Sequence, residues 1–89
     1  MPGSLWVARL IISDATREKL SARHGLDWRE VNAAIVGASG LQYTWDDDPE
    51  RGLRAIAEAA ISGRRCIVVL YPVDDPMGDT YALGSAYPR

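Results

Sequence analysis

His24 is the only histidine in the 89-residue chain, and histidine is the side chain best suited to moving protons near neutral pH. It ends a predicted helix, where the helix dipole favours an imidazolium. That position suits a general base or a phosphate contact; a helix-terminal residue with no further role is the competing reading. Arg54 lies on the polar face of a predicted strand, four residues before Glu58. Its planar fork fits a phosphate and can stabilise a pentavalent transition state. Paired with a neighbouring carboxylate, it would instead be an exposed strand charge. Arg64 and Arg65 stand at a tight turn, where they either contact phosphate or are solvated. Tyr43, Trp45, Tyr71, Tyr81 and Tyr87 could stack nucleobases or form ordinary cross-strand pairs.

Several chemistries are not encoded. No glycine-rich phosphate loop, Ser/His/Asp series or Cys/His cluster is present. Cys66 is the single cysteine, so neither a disulfide framework nor a cysteine metal site is expected. Two acidic stretches, residues 46–50 and 74–79, invite a hard cation, but neither has EF-hand spacing and aspartate is a common turn residue. No metal or cofactor is expected, and a contact surface for a basic partner is the third reading of these stretches. The net charge of −2 and pI of about 5.2 argue against a general nucleic-acid binder. No apolar run is long enough to span a membrane, and Met1-Pro2-Gly3-Ser4 does not open a signal peptide, so the cytoplasm is the expected compartment.

The elements that must position these residues follow from periodicity. Cys66 to Tyr71 is a run of six apolar or aromatic residues with three β-branched members. It does not alternate, which predicts a strand buried on both faces in the middle of a sheet. Leu5–Ile12 reads as a strand with Trp6, Ala8, Leu10 and Ile12 on one face and Val7, Arg9 and Ile11 on the other. A helix is expected from Ala15 to His24, with Asp14 as N-cap and Gly25 as the left-handed residue that stops it. A second begins at once: Asp27 caps it, Glu30 is placed to complete a capping box, and Leu26 and Val31 form a hydrophobic staple. Residues 40–45 alternate as a half-buried strand, and residues 46–52 read as a turn. Leu53–Ile61 fits a helical stripe and a strand equally in pattern; alanine favours helix, and the short Ser62-Gly63 link to the next strand favours a hairpin. Residues 80–88 form a last strand, with Tyr81, Leu83 and Tyr87 on one face and the small Ala82, Gly84 and Ala86 on the other.

The expected fold is a single α+β domain over residues 1–89, ordered β-α-α-β-β-β-β. It is an antiparallel sheet with two short helices packed on one face. In such a meander alternate turns share an end. The acidic residues 46–50 and 74–79 then gather at one end, and Arg64, Arg65 and Arg89 at the other.

The stretch Glu18-Lys19-Leu20-Ser21-Ala22-Arg23-His24-Gly25-Leu26-Asp27-Trp28-Arg29-Glu30-Val31 resembles the K-x-x-x-K-H-G-[VI]-[ST]-x-E-E-[VA] opening of BrnT-type toxins and their small relatives. Arg51 to Leu70 is similar to the segment that follows in that family, and Ser85-Ala86-Tyr87-Pro88 to its closing motif. The likeness covers residues 13 to 88. It implies a RelE-like ribonuclease fold, a strand at Leu53–Ile61, metal-independent RNA cleavage and neutralisation by a partner antitoxin. Carried over by position, it points to Lys19, His24, Arg54, Arg64, Tyr87 and Arg89. The chain differs from the family in its acidity and in Ala55, where an aromatic is usual.

Two functions are therefore expected as alternatives. In one, the protein is a small endoribonuclease toxin: Arg54 and Arg64 hold phosphates, Lys19, Arg65 and Arg89 contact RNA, and His24 or Tyr87 moves protons for attack by the 2′-OH. In the other, the same fold is a non-catalytic interaction module that uses its acidic end or a sheet edge to bind a basic or β-strand partner.

Overall fold

Arg64–Pro72 is the central strand of a five-stranded sheet, as its unbroken apolar run requires. The computed structural model describes residues 5–89. In chain order these form β1 (Arg9–Ile11), α1 (Asp14–His24), α2 (Trp28–Ile35), β2 (Gln42–Asp48), β3 (Gly52–Ile61), β4 (Arg64–Pro72) and β5 (Thr80–Pro88). The spatial order of the strands is β1-β5-β4-β3-β2.

The molecule is α+β, with β2 to β5 as an antiparallel meander. The sheet as a whole is mixed, which corrects the wholly antiparallel expectation: β1 lies parallel to β5, with Arg9 beside Thr80 and Ile11 beside Ala82. Topology explains it. The two helices return the chain so that β2 runs opposite to β1. A meander of four strands ends opposite to its first, so β5 comes back in the direction of β1.

The ambiguous segment 53–61 is a strand. Ser62 (φ 54°) and Gly63 (φ 74°) supply the two positive φ angles of a tight hairpin whose twist matches the strands it joins. That pairing outweighs the helix propensity of alanine. Ala55, Ala57, Ala59 and Ile61 face the helices and are buried. Cys66, Val68 and Leu70 from β4 and Tyr81, Leu83 and Ala86 from β5 complete that face, against Leu20 of α1, Leu26, and Val31 and Ile35 of α2. The short alanine row lets α2 approach β3 closely.

Local details depart from expectation for identifiable reasons. Ser13, not Asp14, caps α1: its side chain accepts from the Thr16 amide. Asp27 caps α2 by accepting from the Arg29 amide at 2.9 Å. Glu30 does not turn back to complete a capping box; its carboxylate accepts the Ser62 hydroxyl and ties α2 to the β3–β4 hairpin. Trp6 is 47% exposed while Leu5 and Val7 are buried. The amides of Ala8 and Arg9 both approach the Asp79 carbonyl, at 2.9 and 3.4 Å. Spending two residues on one acceptor shifts the phase, so Leu5 and Val7 point inward before the step and Ile12 after it. β2 runs on to Asp48, so Asp46, Asp47 and Asp48 are strand residues and the turn is confined to residues 49–51.

A bulge sets the faces of β5. Val69 pairs with Ser85 and Leu70 with Leu83, leaving Gly84 as the extra residue. The alternation therefore breaks. Ala86 joins Tyr81 and Leu83 on the buried face, and Tyr87 turns to the helix-free face. The Tyr71 ring fills the space over Gly84: a Cβ there would stand 2.4 Å from Tyr71 Cε2. Gly84→Ala is expected to destabilise the fold by about 1–3 kcal/mol through overpacking. The urea midpoint measures it, and the loss should largely disappear in a Tyr71→Ala background. A wild-type midpoint for the single variant would show that the ring moves aside freely.

The β4–β5 connection is held by Asp75. Its carboxylate accepts from the Met77 amide at 2.9 Å and the Thr80 hydroxyl at 2.8 Å, with Arg9 Nη1 at 3.9 Å. The Met77 amide first, then Thr80 and the Arg9 charge, hold its carboxyl below the ordinary 3.8. A folded-state pKa below the unfolded one adds stability above the unfolded value, which is lost as pH falls through the folded value. Asp75→Asn should thus be less stable than wild type at neutral pH and nearly equal to it in strong acid. Urea midpoints at the two pH values test this; a gap that persists in acid would assign the effect to geometry instead of charge.

Candidate active site

Only one face of the sheet is covered by helices. The other carries Arg54, Ile56 and Glu58 from β3, Ile67, Val69 and Tyr71 from β4, and Ser85 and Tyr87 from β5, as the pairing registers dictate. The chemistry on this face divides between the two ends of the sheet.

At the end holding the Ser62-Gly63 turn, the C-terminus of α1 meets β5. The His24 and Tyr87 rings lie with centroids 6.0 Å apart and inclined at 43°. Arg64 Nη2 donates to the His24 carbonyl at 3.2 Å, satisfying an acceptor that the helix end leaves open. This bond fixes His24 from its backbone and leaves the imidazole unengaged by it. Glu58 receives Arg89 Nη1 at 2.9 Å and Arg65 Nε at 3.5 Å. One carboxylate thus gathers two guanidinium groups beside Tyr87, since Glu58 and Tyr87 both flank Ile67.

Lys19 and Arg23, one helical turn apart, extend the basic surface along α1. With Thr16, Leu20, His24, Gly84 and Ser85 they line a small cleft of about 40 Å³ between α1 and the bulged part of β5. An imidazole, a phenol and several cations thus share one corner. Such a set can take a proton, give a proton and neutralise phosphate. Of the residues singled out from sequence, His24, Tyr87, Lys19, Arg64, Arg65 and Arg89 come together here. Arg23, Ser85 and Glu58 join them. Arg23 was visible as the residue four after Lys19; the place of Ser85 was hidden by the bulge.

Arg54 lies elsewhere. It stands four residues along the sheet and two strands across from Tyr87, roughly 13 Å by 10 Å at standard strand spacings. Its Nε binds Asp46 Oδ2 at 2.8 Å and its Nη1 lies 3.4 Å from Asp48 Oδ2. Asp46 first, then the Tyr71 hydroxyl, raise its pKa above the ordinary arginine value. The same hydroxyl is the main influence that raises Arg51. Tyr71 Oη is buried, close to both guanidinium groups, yet it makes no bond of hydrogen-bond geometry with any described group.

Asp46 and Asp48 are occupied with structure, Asp46 by Arg54. Asp48 accepts from the Glu50 amide at 2.9 Å and the Arg51 amide at 3.4 Å, and the Glu50 bond first holds its carboxyl below the ordinary value. Among the described residues no three His, Cys, Asp or Glu side chains are grouped so as to hold a metal ion. The aromatic residues form no single platform. Tyr81 is in the core, Tyr43 and Trp45 meet edge to face at 5.6 Å on the helix side of β2, and Tyr71 and Tyr87 lie on the open face.

A wider depression of about 400 Å³ lies beside the elbow between the helices, lined by Arg17, Ser21, Asp27, Trp28 and Arg29 among others. There Arg17 covers the Trp28 ring, with Cζ 3.8 Å from its centroid, and its Nε is bound to the Ile12 carbonyl at 3.2 Å. Asp27 is committed to capping α2, so this depression lacks a free acid–base group. Among the described residues no helix is long and apolar enough to cross a membrane. No protein-family model, no curated protein and no solved structure matches the chain, so its likeness to BrnT-type toxins rests on the sequence motifs.

Proposed function

We propose that the protein is a small endoribonuclease of the toxin type that cuts RNA at the corner formed by His24 and Tyr87. The observation that carries this reading is the pairing of the only imidazole with a phenol, ringed by Lys19, Arg23, Arg64, Arg65 and Arg89. RNA brings its own nucleophile, the 2′-OH. A protein that cuts it therefore needs a base, an acid and positive charge. His24 takes the 2′-OH proton as the oxygen attacks the neighbouring phosphorus. Tyr87 gives a proton to the departing 5′ oxygen, and a 2′,3′-cyclic phosphate remains. Lys19 and Arg23 neutralise the phosphate, and Glu58 keeps Arg65 and Arg89 in place. Arg54, bound by two aspartates, braces β2 against β3 and takes no part in the chemistry. The sequence motifs support a partner antitoxin that would neutralise such an enzyme in the cell.

The test is inducible expression of the protein alone in a bacterial host, following growth and the integrity of total RNA. Rapid arrest with shortened RNA is expected, and both should be lost with His24→Ala. Normal growth with soluble protein and intact RNA would reject the reading.

A further inference from the structure

The outer edge of β2 is the long side of the sheet that no described strand pairs with. At the opposite side β1 pairs with the start of β5, and α1 packs against β5. From Gln42 to Asp48 β2 pairs only inward, with β3, in a register without bulges; just before it Leu41 takes Leu5 in an antiparallel bridge, so the open part of the edge begins at Gln42. It is seven residues long and contains no proline. Outward-pointing backbone groups along it therefore lack ladder partners, which is the usual template for adding a strand.

The side chains indicate what kind of strand would fit. Trp45 is 44% exposed at the middle of β2. It shares the helix-side face with Asp47, while Thr44, Asp46 and Asp48 share the other. Glu50 follows in the turn. Arg54 engages Asp46 and Asp48, but no described cation pairs with Asp47 or Glu50. A second copy of the chain is a poor match. Antiparallel self-pairing about Trp45 would set Asp46, Asp47 and Asp48 opposite Thr44, Tyr43 and Gln42 of the second copy, so it supplies no cation for any of them.

We propose that β2 docks an extended basic segment of a partner protein as a sixth strand. Backbone bonds to the open edge provide affinity. An apolar side chain covers Trp45, and lysine or arginine side chains meet Asp46, Asp47, Asp48 and Glu50. This surface lies away from the His24–Tyr87 corner, so it stands or falls independently of the ribonuclease reading.

The test is titration of the full-length, isotope-labelled protein with a synthetic peptide of about ten residues alternating lysine and valine. Amide shifts should be concentrated at Gln42–Asp48 and their immediate neighbours. Binding should weaken about tenfold or more, the scale set by loss of strand bonds and charge contacts, in either of two cases. One is N-methylation of alternate peptide nitrogens; the other is the double change Asp47→Lys with Glu50→Lys in the protein. Both of those side chains are exposed and unpaired among the described residues, and an unchanged amide spectrum elsewhere confirms the fold. Equal binding of the N-methylated peptide, or of one with glutamate for lysine, would overturn the proposal. So would shifts centred elsewhere, or no binding. A dimer in sedimentation that Trp45→Lys dissociates would also overturn it, by giving the edge to a second copy.

Discussion

His24→Ala is expected to lower the rate of RNA cleavage about 10²–10⁴-fold, the usual contribution of a positioned acid–base group. The fold should survive the change. The link from Arg64 reaches the His24 backbone carbonyl, which alanine keeps, and the imidazole's nearest aromatic neighbour is the rim residue Tyr87, itself 38% exposed. The measurement is the initial rate of cutting of a labelled RNA oligonucleotide by purified protein, with circular dichroism as the control for folding. Tyr87→Phe keeps the ring contact and removes only the hydroxyl, so it separates proton donation from packing. Lys19→Ala and Arg23→Ala should act differently: under the proposed reading each removes a phosphate contact, so binding should weaken and its dependence on salt should flatten. Arg54→Gln serves as a contrast, since its partners are Asp46 and Asp48; it should change stability more than rate. If His24→Ala cuts like wild type, the corner is not the active site. If Arg54→Gln abolishes cutting in a folded protein, the chemistry lies at the other end of the sheet.

The order of elements was legible because each carries a local signal. The six-residue apolar run could only be a central strand, and Gly25 and Asp27 mark where one helix stops and the next begins. The polarity of the molecule was also legible, since alternate turns of a meander must share an end. What sequence did not reveal depends on single-residue slips. The shared acceptor at Asp79 turned Trp6 outward, and the bulge at Gly84 moved Ala86 into the core and Tyr87 out of it. A strand has a period of two, so one extra residue reverses every side chain beyond it. The bulge is therefore what places Tyr87 on the open face near His24. The separation of Arg54 from His24 was hidden for another reason: distance across a sheet depends on register, which only the pairing of β3, β4 and β5 supplies. Parallel pairing of β1 with β5 likewise follows from where the chain returns after α2, which no local pattern states.

Leu70→Ala is expected to destabilise the protein by about 2–5 kcal/mol, the range for a fully buried leucine. Leu70 has no exposed surface and sits on β4 between Ala55 of β3 and Leu83 of β5. Its neighbours on β3 are alanines, too small to fold into the space left behind, so a cavity should persist and the cost should fall toward the upper end. A small domain has about 5–15 kcal/mol of stability in all, so this variant would stand near the edge of folding. Chemical denaturation measures the loss. Ile67→Ala provides the comparison, because Ile67 lies on the same strand but on the helix-free face, where it is only partly buried. It should cost clearly less. Equal costs would mean that the open face is itself packed as a core and awaits a covering partner. A large difference would mean that stability resides on one side of β4. The other side is then free to carry Glu58, Tyr87 and Ser85 toward a substrate without the fold depending on them.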